Sequence, residues 1–297
     1  VTIAACYLSS EGVVFGADST STMFVAGPGP GGVGGSDHHY NFAQKIFQIG
    51  HNSTMGMAMW GLGNLAQVSY RTLIAQFADQ LLGQAPASMQ EVADRWNTFF
   101  WQAYTTHLAS IYGRVQTLLG QASRTPDEDN ELHFLVRSFS GGFCLGGNLL
   151  NDRTPFAFEI RYDPTRTAPQ PVQSLQIGSS NFWGCPNLIE RLLYGIDDGV
   201  FAAILQSGKW TGTPNELAAL VMPHRLAQPL DLPIREAIDW VYTSIYTTNQ
   251  AMKFSHLAPV CGGPVEVAVI TTDRTFRWVR HKRLDAAIGP YGNVDGY

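Results

Sequence analysis

Charge is the first thing this sequence lacks. Asp, Glu, Lys and Arg make up only 14% of its 297 residues, against about 25% in an average soluble domain, so much of the surface is neutral, loop-like or covered by other subunits. Nor is the charge that exists basic: 19 Lys and Arg against 24 Asp and Glu leave a net charge of -5, which gives no footprint for nucleic acid or an anionic membrane. Cysteine is sparse. Cys6, Cys144, Cys185 and Cys261 lie far apart with no C-x-x-C pair, which excludes a zinc ribbon and a dithiol redox motif and leaves buried free thiols as the expectation. No apolar run approaches the ~20 residues of a membrane span, and no charged start followed by an apolar stretch marks a secretory signal. The expected location is cytoplasmic. What the chain does have is 45% hydrophobic and 11% aromatic residues, enough for a large buried core.

The first recognisable unit is a hairpin. Thr2-Ile3-Ala4-Ala5-Cys6-Tyr7-Leu8 and Val13-Val14-Phe15-Gly16-Ala17-Asp18 are apolar segments separated by Ser9-Ser10-Glu11-Gly12, two strands joined by a Gly-containing turn. Both arms are apolar on both faces, the pattern of strands covered on both sides. The stretch Gly27–Gly35 is too rich in Gly and Pro for a regular element and marks 24–40 as a loop insertion. No Gly-Lys-Ser/Thr follows it, so it is not a phosphate loop, and the adjacent Asp37-His38-His39 supplies too few ligands for a metal site. Lys45–Ile49 and Met55–Trp60 read as two further strands. A helix follows with its stripe at Tyr70, Leu73, Ile74, Phe77 and Leu81. A second, longer helix begins at Ser88 with Glu91 at the capping-box spacing, and its stripe continues to Val115.

After a polar break at Thr125–Asn130, strands are expected at about 133–149, interrupted at Gly141-Gly142, and at 154–162 and 172–178. Helices are expected at 187–206, from Thr213-Pro214-Asn215-Glu216, where a cap, an N1 proline and an N3 glutamate coincide, and at 233–252. The chain closes with a hairpin of Val265–Ile270 and Phe276–Val279. Strands, two helices, strands, helices, strands is an order that suits an α+β fold, a four-layer α-β-β-α sandwich. It reads as one domain over 1–297, with a Gly-rich tail at 289–297.

Taken in order, Thr2-Ile3-Ala4, Gly16-Ala17-Asp18-Ser19, Asn41-Phe42-Ala43-Gln44-Lys45, Ala58-Met59-Trp60-Gly61, Gly178-Ser179-Ser180 and Gly262-Gly263 resemble the motif series of proteasome β-type subunits, a family of N-terminal nucleophile hydrolases. The resemblance spans about residues 1–280. It implies the same four-layer fold and threonine-type peptidase chemistry with no cofactor and no metal. It also implies peptide or unfolded protein as substrate, a homo-oligomer of one ring or stacked rings, and an ATP-dependent unfoldase as a partner. In this family the first residue supplies the hydroxyl nucleophile and, through its free α-amino group with pKa ~8, the base. By resemblance Lys45 lies beside the hydroxyl and lowers the cost of an alkoxide, and Asp18 holds the ammonium in place. Ser179 orients the α-amine, and the Gly61 N–H faces the developing oxyanion. Singly, each has a plainer reading: Asp18 a turn residue, Lys45 an edge lysine that blocks strand pairing, Gly61 a tight turn, Ser179 a helix cap. It is the conjunction that points to function.

The start of the chain departs from the family pattern, which is Thr-Thr-Ile or Thr-Thr-Thr where this sequence has Val1-Thr2-Ile3. Keeping Thr2-Ile3 in the second and third positions puts Val1, threonine's shape without its oxygen, at the nucleophile and requires one extra residue in the hairpin turn. Turns absorb single insertions, and this alignment is the preferred one; it makes the chain inactive as written, by engineering or by nature. Counting back from Asp18 without a gap puts Thr2 there instead, behind a one-residue leader. Ala258 and Cys261 stand where the family often has an Asp and a Ser, which changes that part of the hydrogen-bond network. Two other functions stay open: a non-catalytic proteasome-type structural subunit, and an N-terminal nucleophile amidase acting on a small amide with the loop around 27–40 closing the pocket.

Overall fold

The computed structural model describes residues 2–25, 36–66, 68–255 and 260–282. Its first two strands, β1 (Ile3–Ser9) and β2 (Gly12–Ala17), pair antiparallel in unbroken register from Ala4↔Ala17 to Ser9↔Gly12. The turn between them is just Ser10-Glu11. β3 (Ser21–Val25) and β4 (Ser36–Tyr40) form a separate two-stranded ribbon that extends into the stretch 24–40 expected to be loop; Gly27–Gly35 lies outside the described residues. The order continues with β5 (Ile46–Gln48), β6 (Met55–Gly61), α1 (Tyr70–Gly83), α2 (Met89–His107), α3 (Ala109–Leu119) and α4 (Pro126–Phe139). Next come β7 (Gly141–Gly147), β8 (Phe156–Tyr162), β9 (Gln173–Ser174) and β10 (Ser179–Gly184). Helices α5 (Asn187–Tyr194), α6 (Asp198–Gln206), α7 (Pro214–Val221) and α8 (Ile234–Met252) precede the closing strands β11 (Glu266–Thr271) and β12 (Arg274–Arg280).

These elements make a mixed α/β protein with two five-stranded antiparallel sheets, ordered β10-β1-β2-β11-β12 and β5-β6-β7-β8-β9. The two-residue period of a strand decides what each face meets. Along β1, Ala4, Cys6 and Leu8 pack with Ile46, Ala58, Trp60 and Cys144 of the other sheet. Ile3, Ala5 and Tyr7 point the opposite way, into a core completed by Ala237, Val241 and Ile245 of α8. On the second sheet Met57, Met59, Phe143 and Leu145 turn away from the first and meet Phe77 of α1 and Trp96 and Phe100 of α2. A hairpin apolar on both faces is thus buried on both, as its composition requires.

Several expectations fail. The segment 133–149 is not a strand interrupted at Gly141-Gly142: residues up to Phe139 belong to α4, and β7 starts at Gly141 and runs through Gly142 without a break. The reason is local, because Thr125 and Glu128 form a reciprocal capping box with Pro126 at the first turn, a helix start and not a break. The long second helix is divided at Leu108 into α2 and α3. The helix at 187–206 is two, ended at Gly195 in the left-handed region (φ +80°) and restarted by the Asp197 side chain, which caps α6 by accepting from Val200 N. Strand β10 is new, and of the expected strand at 172–178 only Gln173–Ser174 is ladder-paired. Among the described residues no helix is long and apolar enough to cross a membrane. The tail at 289–297 lies outside the described residues.

Candidate active site

The β1–β2 register puts Asp18, one residue past β2, beside the first residues of β1. Ile3 N donates to Asp18 Oδ1 at 3.0 Å, and Asp18 N returns a bond to Ile3 O at 3.0 Å. Asp18 is fully buried, and Thr20 N (3.1 Å) and Gly262 N (2.9 Å) both donate to its second oxygen. The fourth donor is Lys45, whose Nζ stands 2.6 Å from Oδ1. Lys45 opens the segment running into β5, is only 3% exposed, and its carbonyl accepts from Met59 N on β6. Removing an ammonium from water disfavours its charged form. Burial accordingly pulls the Lys45 pKa down, and the charge and hydrogen bond of Asp18 offset part of that.

A shallow cavity with about 50 Å³ for water-sized groups opens beside this pair, walled by Thr2, Thr20, Thr22, Lys45, Met59 and Gly61 among others. Gly61 ends β6 at φ +77°, and a Cβ there would stand 2.4 Å from Ser140 O, so no other residue fits. Along β6, Met59 N donates to Lys45 O, and past the strand's end Leu62 N donates to Ser140 O. By the alternation of strand amides, Gly61 N–H points to the Lys45 side, where β5 has not yet begun. Thr2, with 3% exposure, also faces this cavity. It is pinned from the other side by Gly184 (φ +89°), where a Cβ would fall 1.8 Å from Thr2 O.

Thr2, Asp18, Lys45 and Gly61 are therefore brought together. Val1 lies outside the described residues. The β1–β2 turn has two residues and the ladder carries no bulge. Ser179 is not brought to the site. It opens β10 opposite Leu8, at the far end of β1 from Thr2, and its hydroxyl donates to Gln176 O at 2.6 Å. An antiparallel partner presents its end, not its beginning, to the start of β1, so Gly184 and Cys185 occupy the place expected of Ser179. With β10 unseen in the sequence, that reversal had no visible signal. Ala258 lies outside the described residues. Cys261 is buried directly before Gly262, and its free thiol shares a hydrogen bond with the free thiol of Cys185. That bond is the main cause lowering the Cys185 pKa and raising that of Cys261.

A larger groove of about 830 Å³ runs between α1 and α2, but its charged groups are already engaged. Glu91 takes the Ala87 amide and pairs with Arg95, and Arg95 also donates to Gln84 O at 2.7 Å. Beside Lys45 a hydroxyl, a buried ammonium and a strand amide beyond the end of β5 converge.

What fold and site define is a two-sheet α/β protein with a buried ammonium–carboxylate pair at the start of its first strand. No protein-family model and no curated protein matches the sequence. Among solved structures the chain is similar to a mutant of Anbu from Hyphomicrobium sp. strain MC1, at 13% identity over 94% of this chain and 87% of that one, with a TM-score of 0.48. A likeness that distant identifies neither a family nor an activity.

Proposed function

We propose that this chain is a hydrolase of the N-terminal nucleophile type, a four-layer α-β-β-α sandwich in which Thr2 carries the nucleophile. The observation that carries this is the buried Lys45–Asp18 pair, 2.6 Å apart, whose Lys45 lines the cavity that Thr2 and Gly61 share. With Val1 attached, the Thr2 nitrogen is an amide and cannot serve as the base. Hydrolysis of the Val1–Thr2 bond frees the amine. The Thr2 hydroxyl then attacks a substrate carbonyl while the α-amine takes its proton. Lys45 stabilises the forming alkoxide, and the Gly61 N–H receives the oxyanion, a contact worth roughly 2.7–4 kcal/mol. Collapse returns the proton to the leaving amine and leaves an ester on Thr2, which water cleaves in a second round with the α-amine again as base.

Peptide or unfolded protein is the proposed substrate, with the chain working in a homo-oligomeric ring that an ATP-dependent unfoldase feeds; the low charge of 14% supports covered surfaces. The narrow cavity favours a second substrate class, a small amide. The test uses protein whose first residue is verified by intact mass as Thr2, screened against peptide and small-amide substrates. Turnover and a single covalent adduct with a threonine-directed electrophile are expected, both abolished by Thr2→Ala. An oligomer by light scattering with neither turnover nor adduct would favour a non-catalytic structural subunit.

A further inference from the structure

Behind the Asp18–Lys45 pair lies a second buried ion pair that the proposed chemistry does not use. Glu266, the first residue of β11, is fully buried, and Lys282, two residues beyond β12, reaches back to set its Nζ 2.8 Å from Glu266 Oε2. His281 Nδ1 stands 2.6 Å from Oε1, a close contact without hydrogen-bond geometry. The Lys282 ammonium makes two further bonds, to Ala43 O at 2.9 Å and to Ser19 Oγ at 3.2 Å. Those acceptors flank the site: Ser19 follows Asp18, and Ala43 stands two residues before Lys45. Ala43 N donates to Ser19 O at 2.9 Å, while Ser19 Oγ donates to Pro264 O at 2.7 Å. One ammonium thus cross-braces the two backbone segments that present the catalytic pair. A buried ion pair adds little net stability once desolvation is counted, so geometry is the better explanation for keeping this one.

We infer that Lys282 is a positioning residue, holding the Asp18 and Lys45 segments at their working separation with Glu266 as its buried counter-ion. Its catalytic meaning rests on the reading of Lys45 as part of a hydrolytic site. The groups that face the two ammonium ions are Asp18 and the Cys185 and Cys261 thiols around Lys45, and Glu266, His281 and the more distant Arg71 around Lys282. Burial pulls the Lys282 pKa down, partly offset by Glu266, and the Lys45 charge pulls it further. Because such repulsion is mutual, Lys45 reports on changes at Lys282.

The test is an NMR titration of Lys45 in protein carrying side-chain-labelled lysine, joined to kinetics with a peptide or small-amide substrate. Lys282→Met removes a cation and strands an anion, so the Lys45 titration midpoint should rise. Glu266→Gln does the reverse, and the midpoint should fall. Mere loosening would admit water in both variants and raise the midpoint in both. In kinetics, Lys282→Met should lower kcat about tenfold or more with KM within about twofold, and Lys282→Arg should recover most of the loss, since small misplacements are costly at a reacting centre. If Lys282→Met does not fold, Ser19→Ala serves, with a fall in kcat at an unchanged Lys45 midpoint expected and an unchanged kcat overturning the inference. Midpoints that stay put, or that move the same way in Lys282→Met and Glu266→Gln, also overturn it. Opposite shifts in a protein that hydrolyses nothing would uphold the brace and remove the hydrolytic reading.

Discussion

An ammonium group with 3% exposure is expensive to keep, and Lys45 is kept by one carboxylate. Asp18 has four donors, of which only Lys45 is charged. Lys45→Met therefore leaves a buried carboxylate held by neutral amides alone. Removing one member of a buried pair typically costs about 3–5 kcal/mol, and denaturant unfolding should register a loss in that range along with loss of any turnover. At this scale the sequence is informative. The family resemblance picks out Asp18, Lys45, Gly61 and Ser179 alike, and the first three meet. Ser179 does not, because its position depends on pairing partners that no local pattern reveals. Cys185 and Lys282 give no signal either: each reaches the site through a long-range contact, one across β10 and one from beyond β12.

The elements repeat the lesson in a single pair of motifs. Thr213-Pro214-Asn215-Glu216 and Thr125-Pro126-Asp127-Glu128 carry the same helix-start chemistry, and both form complete capping boxes. The first is legible because apolar residues follow it. The second is followed by a polar, charged run that buries only Leu132, so its periodicity is faint and the segment resembles a break. Thr125→Ala should cost about 1 kcal/mol, the usual worth of a Ser or Thr cap, seen as a lower thermal midpoint with the site unaffected. The hairpin at the chain's start is legible for the opposite reason. Its apolar arms are uninterrupted, and a two-residue turn fixes their register.

For the molecule as a whole, the layered packing follows from strand alternation, while its response to pH follows from what the layers bury. Tyr70, Tyr104 and Tyr162 sit in the aromatic core under α1 and α2, and burial raises the pKa of each phenol. Tyr70 and Tyr104 donate to the carbonyls of Leu62 (2.8 Å) and Phe139 (2.9 Å), bonds that a phenolate cannot make. For a group whose folded pKa is raised, the folded state holds its proton longer than the unfolded chain, so the stability it confers is present below the unfolded value and is lost above it. Lys45 and Lys282, whose pKa values are lowered, act with the opposite sign just below the unfolded lysine value. Three phenols outweigh two ammonium groups once pH passes about 10. Urea midpoints should therefore fall steeply above that pH, and a Tyr162→Phe variant, which removes a buried hydroxyl without a partner, should fall less.

The central claim is that a free amine on Thr2 makes its hydroxyl reactive beside Lys45. The most direct measurement is intact mass before and after exposure to a threonine-directed electrophile, on protein beginning at Val1 and on protein beginning at Thr2. One adduct, mapped to Thr2, on the shorter form only, and absent in its Lys45→Met variant, is the expected result. Equal labelling of both forms, or none of either in folded protein, would contradict it.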